Sequence, residues 1–367
     1  MNIKIERKEL LNALMVGASL AGRSKVLPIL DSIKFRIKEN YAQIISMDEQ
    51  SAIQKRLAFI ECDEQGEFAV NASDFIKAIK ALKKQDVILS YNASDNTLVI
   101  KHDNGVINLS ATTTEEFPVM QKRESGVTFK ANSETLFKWL NACKSFVSTE
   151  SVRPVMCGMY LEVKDGIITT CASDGTKMFV DTMECDDAIV EISAIVPSNV
   201  FSAVQSVING SEYCIIEMDA THTTISTDDA KVSVRNIEGR FPNFRAVIPS
   251  NQTITVGLNK QEFSDALSRV SICSNATSLI RMNVDGMNVT IDADDADFGK
   301  SAKEDMMCEH TGDNITMGFK HDSMVGLINN ISSSNVIIEM STPSRAMIVK
   351  DNEYPNKVLL LMPCMLN

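Results

Sequence analysis

The densest run of carboxylates in the 367-residue chain is Asp292-Ala-Asp294-Asp295-Ala-Asp297, whose spacing suggests calcium. A calcium loop wants Gly at its sixth position and Glu at its twelfth. Those positions hold Asp297 and Lys303, so the run reads as an acidic edge that discourages aggregation and repels DNA. His102, His222, His310 and His321 are isolated, and no His-Glu-x-x-His occurs. Gly299-Lys300 lacks the upstream glycine of a phosphate-binding loop. Asp174 beside Gly175 invites a nuclease reading, but it has no paired carboxylates and suits a turn better. No nucleophile with its base emerges, so no catalytic residue, metal or cofactor is expected. What remains is a set of cations. Lys77, Lys80 and Lys84 recur three and four residues apart, the spacing of one helix face, and could meet phosphates without reading bases.

The element that must carry them spans Asn71 to Lys84. Phe75, Ile76, Ile79 and Leu82 form its apolar face, Asn71 or Ser73 can cap its start, and Asp74 suits the positive end of its dipole. Alone, it is an ordinary surface helix with a solvated stripe. It is not alone. Val70 closes a short alternating segment, and Phe75 opens the apolar face five residues later. The same offset joins Ile5 to Leu10, Ala131 to Leu136, Val196 to Phe201, Leu258 to Phe263 and Phe319 to Met324. The six anchors, at 10, 75, 136, 201, 263 and 324, lie 65, 61, 65, 62 and 61 residues apart. Between them run short β-branched segments divided by Asn, Asp and Gly, such as 86–91, 96–101, 213–218 and 335–340. The chain is therefore expected to be α+β: six units, each one helix plus about four antiparallel strands. Phe117-Pro118 and Phe241-Pro242 each close a pair of units before a polar connector. Three similar domains follow, 1–122, 123–250 and 251–367.

Charge is divided unevenly. Helix windows 7–20, 71–84, 133–147, 198–208, 260–272 and 320–331 hold 11 basic and 6 acidic residues, a net of +5. The chain's net charge is −12, so the remainder carries −17. Helices gathered on one side would give an acidic body a basic face, to which Lys138 and Lys144 would also belong. Helices packed about 10 Å apart would, six in a ring, enclose a diameter of only about 20 Å. Twelve, from two chains, would enclose about 38 Å, enough for a hydrated duplex. Nine scattered cysteines without a Cys-x-x-Cys pair point to a reducing compartment, the cytoplasm. The start of the chain does not read as a signal peptide, and no apolar run approaches a membrane span.

Several stretches, in this order and with the sixfold period, resemble the bacterial sliding-clamp family, the β subunits of DNA polymerase III. They are Leu27-Pro-Ile-Leu30, Ser173-Asp-Gly175, Arg240-Phe-Pro242 with Val247, and Leu361-Met-Pro-Cys-Met-Leu366. The likeness runs over the full chain. It implies the DNA clamp fold, a ring-shaped homodimer with helices lining the hole and sheets outside. The implied partners are double-stranded DNA, the polymerase catalytic subunit, a clamp loader and other clamp-motif proteins. By position, it also implies a partner-peptide pocket at Arg153, Met156, Ser173, Gly175, Thr176, Met178, Pro242, Val247, Leu361, Met362, Pro363 and Met365. DNA contacts at Arg23, Ser24, Lys25 and Thr149 follow in the same way. A subunit interface would join Ile107 and Leu109, with Ile76 or Ile79 nearby, to Ile272 and Cys273. There the aspartate run could meet Lys77 or Lys80. The chain departs from the family at Pro154 and Val155, where members often carry aromatic residues, and at Thr176, Cys364 and Asn367. The rival readings are a metal-dependent nuclease or phosphoesterase on repeated α+β units and a monomeric interaction scaffold.

Overall fold

The computed structural model describes residues 1–22, 27–118, 126–185 and 191–366. Arg23, Ser24, Lys25, the domain limit at 122 and Asn367 lie outside them. Among the described residues there are six α-helices: α1 (Arg7–Ala18), α2 (Ala72–Ala81), α3 (Ser133–Cys143), α4 (Phe201–Ile208), α5 (Lys260–Ser271) and α6 (His321–Ile328). Each carries one of the periodic anchors. Leu10, Phe75, Leu136, Phe201, Phe263 and Met324 are all 0% exposed, and the residue five before each lies in the preceding strand. The offset of five is thus the shortest path from a strand's inward position, through a tight corner, to a helix's inward position.

The helices are shorter than their apolar patterns, for local reasons. Asn71 caps α2 by accepting from the Asp74 amide at 3.2 Å, but the helix ends at Ala81 rather than at Lys84. Leu82 turns extended and packs on the core, and Arg7 takes the carbonyls of Ile79 and Lys80 at 3.0 and 2.9 Å. Lys84 therefore lies beyond the helix, off the stripe. α3 stops at Cys143 because the chain tightens there to bury Phe146, which leaves Lys144 just past its end. At 198–200 a separate tight turn follows Pro197, so α4 begins at Phe201.

The chain forms two compact units, Met1–Lys138 with Cys185–Ile237, and Trp139–Glu184 with Glu238–Asn367. In the first, thirteen strands join in one sheet. Its two halves meet where Ala230–Arg235 lies antiparallel to Ser51–Leu57, with Val234 opposite Ser51 and Ala230 opposite Lys55. In the second, Lys177–Glu184 pairs with Val358–Leu361, placing Leu361 opposite Lys177 and Val358 opposite Val180. A second sheet of that unit holds four strands and ends on Lys300–Met307, which pairs on one side with Asn288–Asp295.

One backbone bond marks an internal threefold repeat. The first amide of α1, α3 and α5 donates to a carbonyl just after the following helix: Arg7 to Gln85 at 2.9 Å, Ser133 to Glu212 at 3.0 Å and Lys260 to Ser334 at 2.9 Å. The strand that follows begins one residue later each time, at Asp86, Tyr213 and Asn335.

Candidate functional site

The expected peptide-site residues all fall in the second compact unit, around three neighbouring strands, Gly158–Lys164, Ile167–Ser173 and Lys177–Glu184. The hairpin joining the last two is built by Asp174. Its carboxylate accepts from the Thr176 amide and hydroxyl, both at 2.8 Å, and from the Lys177 amide at 2.9 Å. Three donors of the turn converge on that oxygen, so Asp174 is the turn residue its neighbour Gly175 suggested. Ser173 closes the hairpin by donating to the Lys177 carbonyl at 2.9 Å and accepting from the Gly175 amide at 3.1 Å. Gly175 has φ +94°, a conformation that side chains resist. A Cβ there would sit 3.6 Å from Arg153 Nη1 and 3.9 Å from Met156 Cε, which places those residues beside the hairpin.

The C-terminal segment makes the adjoining wall. The Met362 amide donates to the Thr176 carbonyl at 2.8 Å, extending the Leu361–Lys177 pairing past the strand's end. Two residues on, the Cys364 amide donates to Gly318 at 2.8 Å. A Cβ on Gly318 would lie 2.7 Å from Leu366 Cδ2 and 2.9 Å from the Cys364 carbonyl, so only glycine lets the tail lie flat here. The tail is thus an edge held by backbone bonds as far as Cys364.

Pro242 and Val247 are brought in by Phe241 together with residues that carried no sequence signal. Phe241 stacks on Tyr160 with centroids 4.9 Å apart, and Phe244 meets the same ring edge-on at 5.8 Å. Arg245 forms a two-point ion pair with Glu162, while Tyr160 donates to that carboxylate at 3.0 Å. Burial works against the ionised Glu162, but the hydrogen bonds from Arg245 and Tyr160 and the Arg245 charge outweigh it, holding its pKa below the usual carboxylate range. The Phe241-Pro242 mark was visible; Tyr160, Glu162 and Arg245 could be connected only by the fold.

The result is a buried apolar floor, Met156, Met178 and Leu361, with Val247, Met362 and Met365 exposed by 57, 42 and 78%. Arg153, Thr176 and Pro242 are also exposed, and Pro363 is half-buried. Exposed apolar side chains around a fixed backbone turn are the chemistry that a protein-docking surface needs, and methionines adapt to varied partners.

The candidate DNA-contacting cations are less uniform than the charge count implied. Lys77, Lys80 and Lys84 are exposed, Lys77 with Asp74 at 4.0 Å. Lys138 pairs with Glu134 at 2.7 Å, Lys144 donates to Asn141 at 3.3 Å, and Thr149 is exposed. Arg7 and Lys260 are spent on helix ends, and Arg269 holds Glu304 at 2.6 and 2.7 Å. The basic face therefore narrows to a few lysines. At the other expected interface, Ile107 and Leu109 are half-buried and Ile272 is 73% exposed. Ile79 is wholly buried and cannot reach a second subunit. Arg281 holds Asp292 at 3.0 Å and lies 3.9 Å from Asp294, and Asp295 is buried, so the aspartate run is largely engaged within its own hairpin. Among the described residues no group of three or more His, Cys, Asp or Glu could hold a metal ion. Nor is any helix among them long and apolar enough to cross a membrane.

Family models for the N-terminal, central and C-terminal domains of the DNA polymerase III beta subunit match residues 1–121, 130–243 and 245–365. The beta sliding clamp of Proteus mirabilis is 22% identical over 366 residues, 99% of both chains. That of Escherichia coli is 20% identical over 365 residues, again 99% of both. The crystal structure of the DNA polymerase III subunit beta from Pseudomonas aeruginosa superposes with TM-score 0.94 at 20% identity over 100% of both chains. The Thermotoga maritima beta subunit gives 0.93 at 18% identity, also over 100% of both. Those structures establish the fold.

Proposed function

The chain belongs to the DNA polymerase III β-subunit family, and from that membership we propose that it is a sliding clamp, closing as a homodimer around duplex DNA to tether the polymerase and other replication proteins. It performs no chemistry of its own. Linkage to DNA is topological: weak contacts suffice because the ring must open before the duplex can leave.

The observation that carries the homodimer is a rule of strand pairing. Twice within the chain, the last strand of one domain's first half pairs antiparallel with the last strand of the next domain's second half: Ser51–Leu57 with Ala230–Arg235, and Lys177–Glu184 with Val358–Leu361. The third instance is left open at both ends. Lys300–Met307 is the equivalent of Ser51–Leu57, and Gly105–Thr112 of Ala230–Arg235. Each is paired along one side only over its central residues. Following the ladders outward from the helix starts makes Leu109 equivalent to Val234 and Leu361, and Lys300 equivalent to Ser51 and Lys177. A second copy would therefore place its Leu109 opposite Lys300 and its Ile107 opposite Ala302. Ile272 and Cys273, at the end of α5, stand next to that edge through the Arg269–Glu304 pair. This head-to-tail contact, made twice, closes a ring.

The groove around Gly175, Met362 and Val247 is our proposed site for partner peptides, including those of the polymerase, the loader and other clamp-motif proteins. Lys77, Lys80, Lys84, Lys138, Lys144 and Thr149, with Arg23, Ser24 and Lys25, are proposed DNA contacts. The domain limits proposed are 122 and 250, and the compartment the cytoplasm. The test is retention on DNA. Loaded onto nicked circles with a clamp loader and ATP, the protein should stay bound at moderate salt and slide off on linearisation. Equal retention on circles and on free-ended linear DNA rules out a topological link.

A further inference from the structure

The threefold repeat exposes one place where the three domains differ in chemistry. In the first, Arg7 at the start of α1 donates its guanidinium to the Ile79 and Lys80 carbonyls at the end of α2. In the third, Lys260 at the start of α5 donates its ammonium to the Ile331 carbonyl just past α6. Both cations sit where the negative pole of a helix dipole and its last carbonyls gather. The central domain has Ser133 at the same position, fixed there by the same backbone bond to Glu212. A serine cannot span the distance. In the space lies a cleft of about 260 Å³ lined by Ser133, Glu134, Phe137, Lys138 and the 208–211 turn.

Three features give that cleft a ligand class. Counting back from the shared bond, Asn209 stands where Ile331 does, so the backbone that accepts from Lys260 in the third domain has its counterpart on the cleft wall. Ser133 is buried, and its hydroxyl meets the Cys214 thiol and no carbonyl of the 208–211 turn. Phe137 and Ile208 give the cleft apolar sides, and a Cβ on Gly210 would meet nothing within 4 Å. An apolar passage three or four carbons long that ends at helix carbonyls is the surrounding that Arg and Lys side chains take elsewhere in this chain.

We propose that the cleft between the start of α3 and the end of α4 binds an alkylguanidinium or primary alkylammonium cation, as a free small amine or a side chain presented by a partner. Its head would take the place that Arg7 and Lys260 fill in the other two domains. Its lining shares no residue with the peptide groove or the subunit edges and only Lys138 with the proposed DNA contacts, and the proposal does not depend on the function assigned above.

The experiment titrates the full-length protein with n-propylguanidinium, n-butylammonium and neutral n-butanol, following backbone amide resonances of 133–138 and 208–211. Saturable shifts at millimolar concentrations are expected for the two cations, with at least a tenfold weaker response to the alcohol. Ser133→Arg and Ser133→Lys should each fill the cleft from within, abolish those shifts and raise Tm. Equal response to cation and alcohol, or cation shifts that persist in a folded Ser133→Lys protein, would overturn the proposal. An arginine-containing peptide that shifts these amides where its citrulline counterpart does not would assign the cation to a partner's side chain. Response to spermidine alone would assign it to a free amine.

Discussion

Arg245 and Glu162, 83 residues apart in sequence, decide where Val247 and Pro242 stand. Arg245→Ala removes both hydrogen bonds from Arg245 to Glu162 and leaves a buried carboxylate held by Tyr160. With the guanidinium about half in solvent, the loss should be about 1 kcal/mol. Melting should report it, together with weaker binding of a clamp-motif peptide. The pH dependence has a definite sign. Because the folded pKa of Glu162 is depressed, its contribution is complete above the unfolded value of about 4.3 and fades as pH falls through the folded value. Glu162→Gln should flatten that acid limb of the stability curve, and an unchanged limb would refute the assignment. Gly318→Ala is a second local test. Its methyl would press on the Cys364 carbonyl, a backbone atom that cannot swing aside. The tail should lift and peptide affinity fall at least tenfold, with little change in the melting of the rest.

At the scale of elements, α2 shows how much the sequence disclosed. Its anchor, cap and apolar face were legible because periodicity and capping are local properties. Its end was not, since Arg7, 72 residues away in sequence, and the burial of Leu82 terminate it. Asn71→Ala should cost about 1 kcal/mol, the usual worth of a lost cap. Reversing Lys77, Lys80 and Lys84 to Glu should weaken loading at low salt while leaving the melting temperature within a degree or two, because exposed charges contribute little to stability. Unchanged loading would take these lysines out of the DNA interface. The basic face was overestimated from sequence for a related reason. Counting charges on helices cannot distinguish a lysine open to solvent from an Arg7 or Lys260 bonded to a neighbouring helix end.

For the whole molecule, the six units and their order could be read because one strand–corner–helix geometry repeats at an even spacing. The partition into compact units could not, because it depends on strand pairings such as Lys177–Leu361 that join residues 184 apart. The pairing rule makes a prediction at this scale. With Ile107→Cys and Ala302→Cys in one chain, a short bis-maleimide should convert the protein to a covalent dimer, and trap it on circular DNA after loading. Neither single variant should do so. Cross-linking at Ile107 with a cysteine at 306 instead of 302 would mean that the register is wrong.

The two open edges are not alike. Lys300–Met307 carries Lys300, Lys303, Glu304 and Asp305, charges that oppose indiscriminate pairing. Gly105–Ser110, with Val106, Ile107 and Leu109, has no charge at all. A lone chain therefore offers one guarded strand and one adhesive one. Aggregation during synthesis or at high dilution should begin at residues 105–110. Replacing Val106, which is 60% exposed, with lysine should suppress it without touching the core.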